Sequence, residues 1–255
     1  MLVTVITPSN AAIFPEYIIP AVAHLVRDPE VSVRCMYAQC IVSLADTAVR
    51  YLEMGQALKA HGSYKLSPDT QEYDEAHFEV SYDASMQELQ NSIQEHLAAL
   101  LVDPSSVVKR AVLHNISSLC IFLGRQKTND VLLSHMITYL NDRDWLLRYA
   151  FFDCIVDVAA CGEGRSLEEY ILPLMIQSLS GEYQASCPAE QPIDRTCADV
   201  EGAVVAKVLA ASTSLCELGL FQKMRIWELM SAALGFLYHP NTWIRQGTFS
   251  SLLHM

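Results

Sequence analysis

ITYLNDRDWLLR, residues 137–148, is the stretch that decides the fold. An apolar segment runs to Leu140, a polar turn follows, and Arg148 opens a second apolar segment six positions after Asp142. Upstream, Leu132, Leu133, Met136, Ile137 and Leu140 recur at helical spacing. Downstream, Leu147, Ala150, Phe151, Cys154, Ile155 and Val158 form one stripe with a 3.6-residue period. The reading is helix, tight turn, helix. A hairpin with two wide apolar stripes cannot bury both alone, so it must stack on another hairpin.

The same offset recurs in AHLVRDPEVSVR (Asp28 to Arg34), AALLVDPSSVVK (Asp103 to Lys109) and GFLYHPNTWIR (His239 to Arg245). Pro29, Pro104 and Pro240 are expected in the first turn of the helix that follows, where a missing N–H costs nothing, and Gly124 and Gly219 at the ends of second helices. From Lys109 to Arg148 is 39 residues, close to the period of about 40–47 in HEAT and armadillo arrays. The expected fold is therefore all-α, an α-solenoid of HEAT-type helical hairpins. Residues 1–12 read as the tail of a preceding repeat and 13–55 as a HEAT unit. Residues 56–84 read as a mobile acidic loop, because Leu66 to Gln90 holds seven acids and no Lys or Arg, with no helical period. Further units follow at 85–124, 125–162 and 163–219, with a truncated one at 220–255. The fourth is interrupted by 181–198. Removing that segment restores the period, with Asp199 at the turn and Val205 at the basic position. Gly181, Glu182 and Tyr183 are compatible with codons that form a splice-donor string, so the 18 residues of 181–198 are expected to be a retained intron. Both ends read as cut through repeats, and such a chain is expected to be aggregation-prone by itself.

Composition narrows the function classes. The chain has 255 residues, 51% hydrophobic and 18% charged, too apolar for disorder and rich enough in apolar surface to expect a partner. Its net charge of -12 repels a phosphate backbone, so no nucleic acid is expected. No uncharged run reaches the 18 or so apolar residues of a membrane span, and no basic n-region opens the sequence, so an intracellular chain without a transmembrane segment is expected. The eight cysteines (Cys35, Cys40, Cys120, Cys154, Cys161, Cys187, Cys197, Cys216) include no C-x2-C pair, and no H-x3-5-H accompanies them. They read as reduced, mostly buried thiols, with no metal and no cofactor.

The string GRQKTNDVLLSHMITYLND (124–142), with WLLRYAFFD, LCELGLFQK, HPNTWIR and IFPEYIIPAVAHLVRD (13–28), resembles the central helical region of the phosphoinositide 3-kinase regulatory subunit 4 family, the vacuolar-protein-sorting regulatory subunits of class III phosphatidylinositol 3-kinase. The resemblance implies a scaffold between a kinase-like domain and a propeller. It also implies partners, the lipid-kinase catalytic subunit and autophagy or endosomal adaptors, and a cytoplasmic location peripheral to endosomal and autophagic membranes. No G-x-G-x-x-G, V-A-I-K, H-R-D or D-F-G string occurs, so no kinase chemistry is expected of this chain. A generic HEAT adaptor or transport receptor, gripping basic protein cargo with acidic inner helices, is the alternative.

Asp28, Arg34, Asp103, Lys109, Asp142, Arg148 and Arg245 read as a structural ladder, turn acid to basic residue of adjacent units. Arg125, Lys127, Trp145, Lys223 and Trp243 are candidate partner contacts. The two tryptophans occupy corresponding turn positions, where packing between units is the expected use. The Asn115-Ile116-Ser117 sequon lies on an apolar helix face and reads as coincidental. His114, His135, Glu168 and Glu169 have no nucleophile or second base at a useful offset, so no catalytic residue is assigned.

Overall fold

The computed structural model describes residues 13–60, 71–162, 167–180 and 195–255. Among these there is no strand. The helices are α1 (14–27), α2 (Val31–Ala60), α3 (Gln71–Leu101), α4 (Ser106–Leu113), α5 (Ile116–Lys127), α6 (128–141), α7 (Trp145–Cys161), α8 (167–179), α9 (Arg195–Glu217), α10 (223–238) and α11 (Thr242–His254). The chain forms two compact units, Met1–Ser118 and Leu119–Met255. Each is a stack of helical hairpins, the construction of an α-solenoid.

In the first unit α2 packs on α1, α3 and α4. Its buried residues Ala38, Ile41, Val42, Ala45, Ala48 and Leu52 follow the helical repeat. They meet Leu89, Ile93, Leu97 and Leu100 of α3, which share one face at i, i+4, i+8 and i+11. Phe14 closes the base of this core, its ring 5.3 Å from that of Tyr51.

In the second unit α7 packs on α6 and α9, and α9 packs on α8, α10 and α11. Leu147, Phe151, Cys154, Ile155 and Val158 of the expected α7 stripe are buried, and Phe152 joins them edge-on to Phe151 at 5.1 Å. Gly202 of α9 lies against α11 so closely that a Cβ there would stand 2.9 Å from the Ile244 Cδ1. Ser251 ties the same pair by donating to the Leu209 carbonyl at 3.2 Å.

First helices have a shared irregular form. Three of them begin with a π-helical turn, Phe14–Ile18, Thr128–Leu133 and Leu167–Ile171, and three end in a 3-10 turn, Ala23–Arg27, Ile137–Asn141 and Leu234–Tyr238. Two glycines end second helices with positive φ, as expected: Gly124 at 76° and Gly219 at 67°. At Gly219 the Leu220 N–H reaches the Leu215 carbonyl at 3.1 Å and the Gly219 N–H the Cys216 carbonyl at 2.9 Å, a Schellman closure.

Three expectations need correction. Of 56–84, read as an irregular loop, 56–60 belong to α2 and 71–84 to α3, while 61–70 lie outside the described residues. Gln71 to Leu101 contains no Gly or Pro, and helix propensity needs no apolar stripe. Asp199, expected in a turn, lies inside α9, because no breaker stands between Arg195 and Gly202. The three prolines stand one position before the helix cap rather than in the first turn, a site whose N–H the turn does not use. Residues 1–12 and 181–194 lie outside the described set.

Candidate functional site

The recurrent turn is the best-defined polar arrangement, and it is built the same way in each copy. The 3-10 exit brings the N–H of turn position 0 to the carbonyl three residues back: Asp28 to Leu25, Asp103 to Leu100, Asp142 to Tyr139 and His239 to Phe236, at 3.0–3.4 Å. The side chain at position 0 then accepts the N–H two residues on. Asp28 takes that of Glu30 at 2.9 Å, Asp103 that of Ser105 at 2.8 Å and Asp142 that of Asp144 at 3.0 Å. His239 does the same through Nδ1, from Asn241 at 3.1 Å, so that nitrogen carries no proton. In two copies position +2 also caps the next helix, with Asp144 accepting from Leu146 and Asn241 from Trp243, each at 2.9 Å, whereas Ser105 makes no such side-chain bond.

The six-residue offset now has a local cause. About one turn into the second helix, the Arg side chain curls back and donates to the carbonyl at position 0, which the helix cannot satisfy. Arg34 reaches Asp28, Arg148 reaches Asp142 and Arg245 reaches His239, all at 2.7 Å. Arg245 also donates to the Pro240 carbonyl at 2.8 Å and the Thr242 Oγ1 at 3.0 Å. A rung between units exists where Arg34 grips Asp103 in two-pronged fashion, at 2.7 and 3.2 Å, with both side chains nearly buried. That hydrogen bond is the main reason the guanidinium is held still more firmly protonated. Lys109 sits at the matching place in α4, its N–H on the Ser105 carbonyl.

The candidate contacts scatter. Arg125 is exposed and Lys127 half-buried beyond the break at Gly124. Lys223 opens α10, and its side chain lies outside the described residues. Trp145 is half-buried at the start of α7. Trp243 is 80% exposed, so the packing expected of it is not made. Neighbouring aromatics that sequence reasoning passed over are equally open, Trp227 at 68% and Tyr238 at 90%. Their i, i+11 spacing on α10 is the signal that could have found them.

Few titratable groups among the described residues are displaced from their ordinary pKa. Tyr37 and His96 share a hydrogen bond of 2.7 Å, and burial lowers the His96 pKa while raising that of Tyr37 to about 12. Burial raises the Cys120 thiol to about 12 and Cys216 to about 11, and pushes Cys154 up as well. Glu168 accepts the N–H of Gln222 at 2.8 Å and so caps α10. No cluster of three His, Cys, Asp or Glu suited to a metal occurs among the described residues, and no single helix there is long and apolar enough to cross a membrane.

Stacked hairpins closed by self-satisfied turns define a helical-repeat protein, whose working parts are faces rather than a pocket. A family model described as "PIK3R4-like, middle domain" matches residues 1–185 and 192–255. The chain belongs to this family, in its central region. It is similar to the "Probable serine/threonine-protein kinase vps15" of Dictyostelium discoideum, 35% identical over 99% of this chain and 12% of the relative. The vps15 kinase of Schizosaccharomyces pombe is 36% identical over 97% of this chain and 14% of that one. Arabidopsis thaliana VPS15 is 33% identical over 94% and 15%. The chain thus spans about one-seventh or less of these relatives. Among solved structures, a designed armadillo repeat protein in complex with a (KR)4 peptide aligns at a TM-score of 0.46 and 15% identity, over 92% of this chain and 98% of its own. Within 181–198, only 186–191 are left unmatched by the family model. A retained intron would have no counterpart across the whole segment.

Proposed function

We propose that this chain is a non-catalytic scaffold segment of the regulatory subunit of a class III phosphatidylinositol 3-kinase complex, serving autophagy and endosomal or vacuolar sorting. The observation that carries the reading is the match to a middle domain over almost the whole chain, beside relatives named as vps15 kinases that are far longer. The absence of every kinase string from the sequence is consistent with it. The mechanism is mechanical: hairpins locked by their own turns present extended helical faces and hold other parts at fixed spacing. Partners are the lipid-kinase catalytic subunit and its autophagy or endosomal adaptors. The segment is cytoplasmic and reaches membranes through the complex.

The test replaces these repeats, in an intact vps15-type subunit, with an unrelated helical spacer of similar length. Pull-down of the catalytic subunit and lipid-kinase activity in the precipitate are then measured. The scaffold reading expects loss of recovery, of activity, or of both. Full recovery at normal activity refutes it.

A further inference from the structure

Three of the described thiols converge in the second unit. Cys120 of α5 and Cys154 of α7 are buried, and Cys161, the last residue of α7, is half-buried. The Cys120 and Cys161 thiols lie near enough to hydrogen-bond one another. Two contacts from the first turn of α6 hold their backbones together. Thr128 Oγ1 donates to the Cys120 carbonyl at 3.4 Å. The next residue, Asn129, lies against Gly162, where a Cβ would stand 3.0 Å from the Asn129 Oδ1. Residues 41 apart in sequence are thereby brought to one place on successive second helices.

The three thiols differ in what they can do. Cys154 donates to the Phe151 carbonyl at 3.3 Å and belongs to the core. Burial first, and the Cys161 thiol next, push Cys120 up to about 12, so it stays protonated and inert toward any reagent arriving from solvent. Of the three, Cys161 is the one open to solvent. It also sits where the chain can give. The Gly162 N–H closes α7 on the Val158 carbonyl at 2.8 Å, and Gly162 itself is already extended. A solvent-facing thiol with a buried thiol beside it is the arrangement in which oxidation of the first is captured by the second.

We propose that Cys120 and Cys161 form a reversible disulfide, tying α5 to α7, when the chain meets hydrogen peroxide. The Cys161 thiolate attacks one peroxide oxygen and the O–O bond breaks. Cys161 becomes a sulfenic acid, and the other oxygen leaves as hydroxide, which takes up the proton Cys161 released and becomes water. The Cys120 sulfur then attacks the Cys161 sulfur, and the sulfenic oxygen departs with the Cys120 proton as a second water. The two thiols lose two electrons, and the peroxide gains them. A dithiol reductant returns the electrons by exchange and restores both thiols. Cys120 is thus oxidised only through Cys161.

The test treats the 255-residue chain with hydrogen peroxide in native buffer, blocks the remaining thiols, and maps tryptic peptides by mass spectrometry without reductant. Cys120 falls in the peptide 111–125, and Cys161 falls with Cys154 in 149–165. The expected product is these two peptides joined with loss of two hydrogens, fragment ions placing the bond on Cys161. Dithiothreitol should separate them. Closing a loop of this length should raise the thermal midpoint of the oxidised chain by about 5 °C or more. Cys161→Ser should abolish the joined pair, whereas Cys154→Ser and Cys40→Ser should leave it. A bond that appears only after unfolding in urea overturns the proposal. So does a bond to Cys154, a Cys161 that ends as a sulfinic acid beside a free Cys120 thiol, or an oxidised chain whose midpoint does not rise.

Discussion

Replacing Arg148 by Met keeps the aliphatic stem but removes the donor that serves the Asp142 carbonyl at 2.7 Å. A hydrogen bond from a charged group contributes about 1.5–3 kcal/mol when buried, and the half-buried position of Arg148 places the cost near the lower bound, about 1.5 kcal/mol. Asp144→Ala removes the cap on the Leu146 N–H and should cost about 1 kcal/mol. Both changes strike one seven-residue turn, so the double variant should depart from the sum by about 0.5 kcal/mol or more. Urea unfolding followed by far-ultraviolet circular dichroism reads these values. With a slope of about 2–3 kcal/mol per molar urea, Arg148→Met should lower the midpoint by about 0.5–0.8 M at unchanged slope. A midpoint that does not move would refute the claim that the arginine closes the turn, and would return the six-residue offset to a surface role. A double variant that is strictly additive would refute the turn as a single module.

Further outcomes follow from other parts of the structure. Gly219→Ala should destabilise by about 1 kcal/mol, because φ of 67° strains any Cβ although nothing stands within 4 Å of it. Gly247→Ala, in the open middle of α11, should instead stabilise by up to about 1 kcal/mol, and thermal melts of the pair should move in opposite directions. His96 has a folded-state pKa below its ordinary value, chiefly through burial and despite the opposing charge of Glu95. The unfolded chain therefore binds more protons, and stability should be fullest above about pH 7 and fall as pH drops through about 6.5. His96→Gln should flatten that slope in melts taken from pH 5 to 8. Among the six described thiols, Cys40 should react first with a disulfide reagent at pH 8, while Cys120 and Cys154 should stay protected until unfolding.

The hairpins were legible because an apolar period and a polar turn of fixed length repeat together, and Leu147, Phe151 and Ile155 are buried where the period puts them. The glycine ends were legible from the residue type alone. The helix at 71–84 was not, because its acids and polar residues give no stripe, and helix formation there rests on propensity without a sequence-visible face. The Asp and Arg of the motif were found correctly, and a rung of the expected kind joins Arg34 to Asp103. Pattern spacing did not reveal that Arg148 and Arg245 also curl back onto their own turns. Exposure of Trp243 was equally out of reach, since burial of an aromatic depends on what stacks against it.

The self-closing turn bears on how such a chain can change length. Arg148, Asp142 and Asp144 supply donor, acceptor and cap within one loop, so a duplicated or deleted hairpin brings or removes these fastenings with it. The Arg34–Asp103 clasp obeys a different rule, for each half is nearly buried and belongs to a different hairpin. Loss or shuffling of either hairpin would leave a charge without its mate. That clasp therefore ties its two hairpins in a fixed order, whereas the turn closure moves with the hairpin that carries it.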